Sequence, residues 1–168
     1  LAQKSAELTR QCGRSLVVTA VSARDRTRER GVDLGGAQWF DDAVELAAKA
    51  DVDVVVELIG GDEGAAKACV KAALEAGRHV VTANKALLAR HGVALAEIAE
   101  KKGVLLNYEA AVAGGIPIIK TMREAMAGNT VTRVFGILNG TCNYILTRME
   151  AEGISFDECL KDAQRLGY

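Results

Sequence analysis

Apolar and polar positions follow two rhythms along this chain, and their succession predicts an ordered series of elements. Leu1 to Gln11 has the spacing of a helix end, with Leu8 as its main apolar anchor and Gly13 where a left-handed C-terminal cap belongs. Leu16 to Val21 is a β-branched run suited to a buried strand. Residues 24–40 are polar and irregular, after which Asp41 or Asp42 can cap a short helix, Ala43 to Ala50. A second strand, Asp53 to Ile59, stops at Gly60-Gly61. Residues 63–76 follow as a helix, with Ala66, Cys69, Val70, Ala73 and Leu74 at three- and four-residue spacing and Gly77 ending it. His79 to Thr82 is a third strand, Ala86 to Lys102 a helix, and Val104 to Tyr108 a fourth strand.

Strands alternating with helices through short connections predict the α/β class: a parallel sheet with helices on both faces. The pattern changes after Gly114-Gly115. Pro117, the single proline, stands where the first turn of a helix tolerates it, and Ile118, Ile119, Met122, Ala125 and Met126 supply one apolar face. Val131 to Leu138 is strand-like and Asn143 to Glu152 helical. Ser155-Phe156-Asp157-Glu158 forms a capping box that opens a last helix. The boundary falls within residues 109–116, giving an α/β domain over 1–113 and the start of an α+β domain over 114–168.

Composition narrows the function classes. The chain has 168 residues, enough to bury a core as one or two domains. Its 21 basic and 22 acidic residues leave a net charge of −1 with no dense basic block, which argues against nucleic acid as a partner. No apolar run approaches the ~20 residues that span a bilayer, so no membrane partner is expected. Cys12, Cys69, Cys142 and Cys159 form no C-x-x-C pair and have no histidine at zinc-ligand spacing. With no charged-then-apolar leader, they read as reduced thiols of a cytoplasmic protein. Asn139-Gly140-Thr141 matches the N-glycosylation triplet, a coincidence in that compartment.

In open parallel sheets, ligands bind beyond the carboxyl ends of the strands. The first such loop carries Arg24, Asp25 and Arg26. An acid at this place suits the ribose hydroxyls of NAD and an arginine suits the 2′-phosphate of NADP; the two arginines favour NADP, with Asp25 leaving NAD open. Gly60-Gly61-Asp62-Glu63-Gly64 makes a strand-to-helix turn over which a ligand can lie, without a complete G-x-G-x-x-G. Lys85 follows a strand directly and opens a helix that Asn84 can cap. A cation there opposes the helix dipole, so its place at the sheet mouth suggests that it binds or polarises a substrate oxygen. Glu109 to Ile116 reads as a small-residue hinge, or as a carboxylate and carbonyls able to hold a hard cation. Asn139 to Asn143 offers a turn at a helix N-terminus, where Thr141 and Asn143 can cap the helix or meet a polar ligand. His79 and His91 have no evident acid partner in the sequence and receive no role.

Taken together, Val81-Thr82-Ala83-Asn84-Lys85-Ala86-Leu87, Tyr108 to Pro117, Ile137 to Leu146 and Leu166-Gly167-Tyr168 resemble the homoserine dehydrogenase family in order and spacing over essentially the whole chain. The resemblance implies a Rossmann-type domain followed by the start of a substrate and dimerisation domain. It also implies NAD(P)-linked interconversion of L-homoserine and L-aspartate 4-semialdehyde, on the route to threonine, methionine and isoleucine, in a homodimer. By the same resemblance Lys85 would contact both nicotinamide and substrate. Arg24 would meet the 2′-phosphate, Gly61 would lie along the dinucleotide, and Gly167 would meet the nicotinamide end. Thr141 and Tyr168 would line the homoserine pocket. Glu109, with the carbonyls of Val112, Gly114 and Ile116, would hold a monovalent cation, usually sodium, which displaces the simple hinge reading.

The family's first strand and glycine-rich turn are expected before Leu1. A substrate-binding glutamate, further aspartates and a proton-donor lysine are expected after Tyr168. The 168 residues are therefore expected to be an inactive middle portion of the enzyme. The competing readings are a non-catalytic nucleotide-binding or dimerisation module, and another NAD(P) oxidoreductase of small amino-acid aldehydes.

Overall fold

A computed structural model describes every residue of the chain except Ala110, Leu138 and Tyr168. Two compact units are present, Leu1–Pro117 and Ile118–Tyr168.

The first unit begins with a 3₁₀ turn and helix α1 (Ser5–Cys12), closed by Gly13 at φ 71°. Strand β1 (Ala20–Ser22) pairs in parallel with β2 (Gln38–Phe40). Helix α2 (Ala43–Lys49) follows, its N-terminus capped by Asp42, whose carboxylate accepts from the Val44 N–H at 2.6 Å. Then come β3 (Val54–Glu57), α3 (Ala65–Glu75), β4 (His79–Thr82), α4 (Lys85–Lys102) and β5 (Leu106–Asn107). A second parallel sheet has the order β3-β4-β5, with Val55 opposite Val80 and Val80 opposite Leu106. These parallel sheets flanked by helices are the α/β class that the alternation predicts.

Period-two alternation puts Val55, Glu57, Val80 and Thr82 on one face of the second sheet, all buried, while Val54, Val56 and Val81 are exposed. Cys69, Val70, Ala73 and Leu74 of α3 join Val55, Val80, Leu87, Leu95 and Leu106 in one core. Full burial of a side chain such as Leu74 or Leu87 contributes about 1.5–3 kcal/mol. Helix α2 packs on α3 and on the β1–β2 pair, linking the two sheets. Arg78, just before β4, donates to the Ala47 carbonyl at the C-terminal end of α2, where a cation meets the negative pole of the helix.

In the second unit a three-residue helical turn, α5 (Ile118–Lys120), runs from Pro117 into a π turn over Thr121–Ala125. Helices α6 (Gly140–Glu152) and α7 (Phe156–Leu166) bury Ile145, Cys159 and Ala163 against Tyr144, Met149, Ile154 and Leu160. Both halves of the Ser155–Glu158 capping box are formed. Arg148 joins the two helices, donating to Glu152 and Asp162 at 2.6 Å each and to the Tyr144 hydroxyl at 3.1 Å.

Several predicted elements are corrected. The run from Leu16 yields a strand only from Ala20, because β2 offers just three residues to pair with, and Leu16, Val17 and Val18 are exposed. β2 itself lies within the segment expected to be irregular. The fourth strand contracts to Leu106–Asn107. Residues 131–137 form no strand: no ladder partner is present among the described residues, and Val134, Phe135 and Ile137 are exposed. Leu138, the end of that predicted strand, lies outside the described residues.

Candidate functional site

Two loops at the carboxyl ends of neighbouring strands, 58–64 after β3 and 83–84 after β4, are tied together by side chains from both strands. Glu57, the last residue of β3, is buried, and its carboxylate accepts three hydrogen bonds. Oε1 receives the N–H groups of Ile59 at 2.6 Å and Gly60 at 3.1 Å. Oε2 receives the Thr82 hydroxyl at 2.6 Å. The Thr82 oxygen in turn accepts the Asn84 N–H at 3.0 Å. Asn84 then acts in two directions: Oδ1 caps α4 by accepting from Leu87 N–H at 3.1 Å, and Nδ2 donates to the Gly61 carbonyl at 2.6 Å.

This ring holds Asn84 and Leu87 on either side of Lys85, the first residue of α4, whose side chain is exposed at the sheet mouth. Gly60 and Gly61 both have φ near +80°, where a Cβ is strained, and the space a Cβ would enter at each is open. A ligand can therefore approach that backbone closely. Lys85 and Gly61, two of the expected site residues, are thus brought to one corner of the first unit.

The acids of the glycine turn are already partnered. Asp62 pairs with Arg90 at 2.5 Å, and Glu63 with Lys67 at 3.0 Å and His91 at 2.7 Å. The Arg90 hydrogen bond holds the Asp62 carboxyl below its usual range, and Lys67, then His91, do the same for Glu63. His91 thus does have an acid partner, contrary to the sequence expectation, because Glu63 lies 28 residues away in the chain. His79 is structural, its Nδ1 accepting the Leu105 N–H at 3.0 Å.

Arg24 lies exposed in the loop after β1. Its neighbour Asp25 is engaged locally: one carboxylate oxygen accepts both the N–H and the hydroxyl of Thr27, at 2.9 and 2.7 Å. The Thr27 side-chain bond is the main cause of a lowered Asp25 pKa. Beyond it the guanidinium groups of Arg26 and Arg30 stand 5.4 and 5.6 Å from the Trp39 ring centroid, within cation–π range. These three residues and Arg28 help to line a cavity of about 370 Å³. Sequence reading missed Trp39 here because its strand was missed.

Residues 111–116 fold back on Glu109, whose carboxylate accepts the Gly115 N–H. Val112 N–H bonds to the Glu109 carbonyl and Ile116 N–H to the Ala113 carbonyl, each at 2.9 Å. Ala113 adopts φ 57°, a left-handed conformation uncommon for a residue with a Cβ. A carboxylate at the base of a tight turn rich in backbone carbonyls fits a hard cation by donor type. Among the described residues, no group of three or more His, Cys, Asp or Glu side chains could hold a metal.

In the second unit Thr141 is half-buried in the first turn of α6, but neither it nor Asn143 caps that helix. Asn139 does, accepting from Cys142 N–H at 2.8 Å. Gly167 ends α7 at φ 85°. Tyr168, expected in the substrate pocket, lies outside the described residues.

A parallel α/β unit with a basic loop after β1, an open glycine turn after β3 and a lysine opening the helix after β4 defines the class of nucleotide-binding α/β domains, here joined to a second unit. A family model described as the NAD-binding domain of homoserine dehydrogenase matches residues 2–109, and one described as homoserine dehydrogenase matches 117–168. The chain belongs to the homoserine dehydrogenase family. It is 46% identical to the homoserine dehydrogenase of Neisseria gonorrhoeae over 168 residues, all of this chain and 38% of that protein. It is 47% identical to the one from Mycobacterium tuberculosis H37Rv over 167 residues, 99% of this chain and 37% of that protein. Among solved structures, a homoserine dehydrogenase from Thiobacillus denitrificans matches with a TM-score of 0.79 and 43% identity, over 100% of this chain and 38% of that one. A hyperthermophilic archaeal homoserine dehydrogenase in complex with NADPH matches at TM-score 0.67 and 26% identity, over 98% of this chain and 46% of that one. The chain thus spans 37–46% of the length of these relatives.

Proposed function

We propose that this chain forms the cofactor-binding part and the opening of the substrate domain of an NAD(P)-dependent homoserine dehydrogenase, which interconverts L-homoserine and L-aspartate 4-semialdehyde. The observation that carries the reading is Lys85. It stands at the first position of α4, beside an open glycine turn, next to backbone held by the Glu57–Thr82–Asn84 ring.

A nicotinamide dinucleotide fits the residues present. The backbone of Gly60 and Gly61 leaves room for it, and Arg24 supplies a cation beyond β1. Arg24 and Arg26 suit a 2′-phosphate, which favours NADP, while Asp25 uses only one carboxylate oxygen on Thr27 and keeps the other for ribose hydroxyls, so NAD is the alternative. A bound nicotinamide would supply hydride exchange with the substrate carbon. Lys85 orients the substrate oxygen and stabilises the negative charge that develops on it as the hydride leaves or arrives. Glu109 and the carbonyls of Val112, Gly114 and Ile116 would hold a monovalent cation, sodium. Thr141 and Tyr168 belong to the homoserine pocket, and Gly167 to the nicotinamide end. We assign domains 1–113 and 114–168, a homodimer for the complete enzyme, and a cytoplasmic location. Among the described residues, no helix is long and apolar enough to cross a membrane.

The test is a chimaera in which residues 1–168 replace the matching segment of the Neisseria gonorrhoeae homoserine dehydrogenase. Homoserine-dependent reduction of NADP supports the proposal. A folded chimaera that binds NADP without turnover favours a binding module instead, and one that oxidises a different amino-acid alcohol favours the rival oxidoreductase.

A further inference from the structure

Glu57 is the one carboxylate among the described residues that is buried, at 1% exposure, and its three partners are neutral donors. Burying such a group is costly unless it is fully bonded, and stability alone is served as well by apolar side chains such as Val55 and Val80 on the same face. What the carboxylate achieves is geometric. It grips the turn after its own strand through Ile59 and Gly60, and reaches across to Thr82 on the next strand. Thr82 holds the backbone of Asn84, and Asn84 returns to the turn at Gly61 while capping α4. The loop is closed, and no buried side-chain polar atom among the described residues is left unbonded.

We infer that Glu57 is a positioning residue, which through Thr82 and Asn84 sets the place of Lys85 relative to the glycine turn. The inference rests on the reading of Lys85 given above, and goes beyond it in assigning the geometry to a residue that touches neither cofactor nor substrate. Among the described residues no hydrogen bond orients the Lys85 side chain; its backbone neighbours Asn84 and Leu87 are held instead. A shift of the turn against the start of α4 moves the ammonium group away from a dinucleotide lying on Gly61. A misplacement of about 1 Å costs on the order of 100-fold in rate.

Two measurements test this. In the isolated chain, amide hydrogen exchange is compared for the parent, Glu57→Gln and Thr82→Val. Glu57→Gln should speed exchange at Asn84 and Leu87, in the loop after β4 and the first turn of α4. Thr82→Val should speed it at Ile59 and Gly60, each by about tenfold, the loss of one strong hydrogen bond. Acceleration confined to the altered strand's own loop overturns the coupling. If Glu57→Gln does not fold, Thr82→Val, which keeps the side-chain shape, decides alone.

In the chimaera, Glu57→Gln should lower kcat by about 10- to 100-fold with KM for homoserine little changed, and Thr82→Ser should restore what Thr82→Val loses. A lowered melting temperature with parental kcat overturns the positioning role. A folded but inactive parent chimaera overturns the functional reading instead, and the exchange data then decide the coupling by themselves.

Discussion

Replacing Asn84 with alanine removes two interactions with different consequences. The cap on Leu87 N–H is worth about 1 kcal/mol, within a range of about 0.5–2. The bond from Nδ2 to the Gly61 carbonyl adds about 0.5–1.5 kcal/mol. Asn84 is 7% exposed, so water replaces neither partner well, and the combined loss is about 2 kcal/mol. Asn84→Asp separates the two. Its carboxylate keeps the cap and gains about 0.3–1 kcal/mol from the helix dipole, but turns an acceptor toward the Gly61 carbonyl. The expected order of stability is therefore parent, then Asn84→Asp, then Asn84→Ala. Urea unfolding followed by the fluorescence of Trp39, the single tryptophan, reports the first unit. A loss below about 0.5 kcal/mol for Asn84→Ala, or an aspartate variant no better than alanine, would refute the reasoning from capping and loop closure.

Thiol labelling of the native chain at pH 8 should modify Cys12 and Cys142, which are exposed, and spare Cys69 and Cys159, which are buried. Cys69 resists further because burial, then the nearby Glu57 and Asp42 charges, push its pKa up to about 11; rapid labelling of all four thiols would contradict the packing of α3 and α7. In the second unit the pKa values of Asp162, Glu152 and Glu158 are lowered, Asp162 and Glu152 chiefly by Arg148 and Glu158 by Ser155. Groups with depressed folded-state pKa values stabilise above their ordinary values, 3.8 for Asp162 and 4.5 for the glutamates, and that stabilisation is lost as pH falls through the lowered ones. The α6–α7 contact should loosen in acid, seen in the NMR signals of Ile145 and Ala163, and Arg148→Met should weaken that pH dependence. An unchanged acid profile would remove Arg148 from this role.

Local signals were legible where they were complete within a few residues. The apolar spacing of α3, the Ser155–Glu158 box, the Asn84 cap and the four residues of β4 all stand as the chain predicts. What failed depended on distant partners. The length of β1 was set by the short β2, hidden in polar sequence with only Trp39 and Phe40 to mark it. Residues 131–137 have the composition of a strand, yet a strand also needs a ladder. The strand over Asp53 to Ile59 is legible but the role of Glu57 within it is not, because its partner Thr82 is 25 residues away. A signal existed nonetheless: a lone glutamate at an inward position of a valine-rich strand is rarely buried without a reason. The Glu63–His91 pair was hidden by the same kind of separation.

Lys85→Ala in the active chimaera probes the site at the atom that the chemistry requires. With the unfolding transition and Trp39 fluorescence at parental values, kcat for homoserine oxidation should fall by about 100-fold or more, the usual loss of a group that steadies developing charge or guides a proton. A rate within about twofold of the parent would show that the ammonium at the mouth of the sheet does not act on the substrate oxygen.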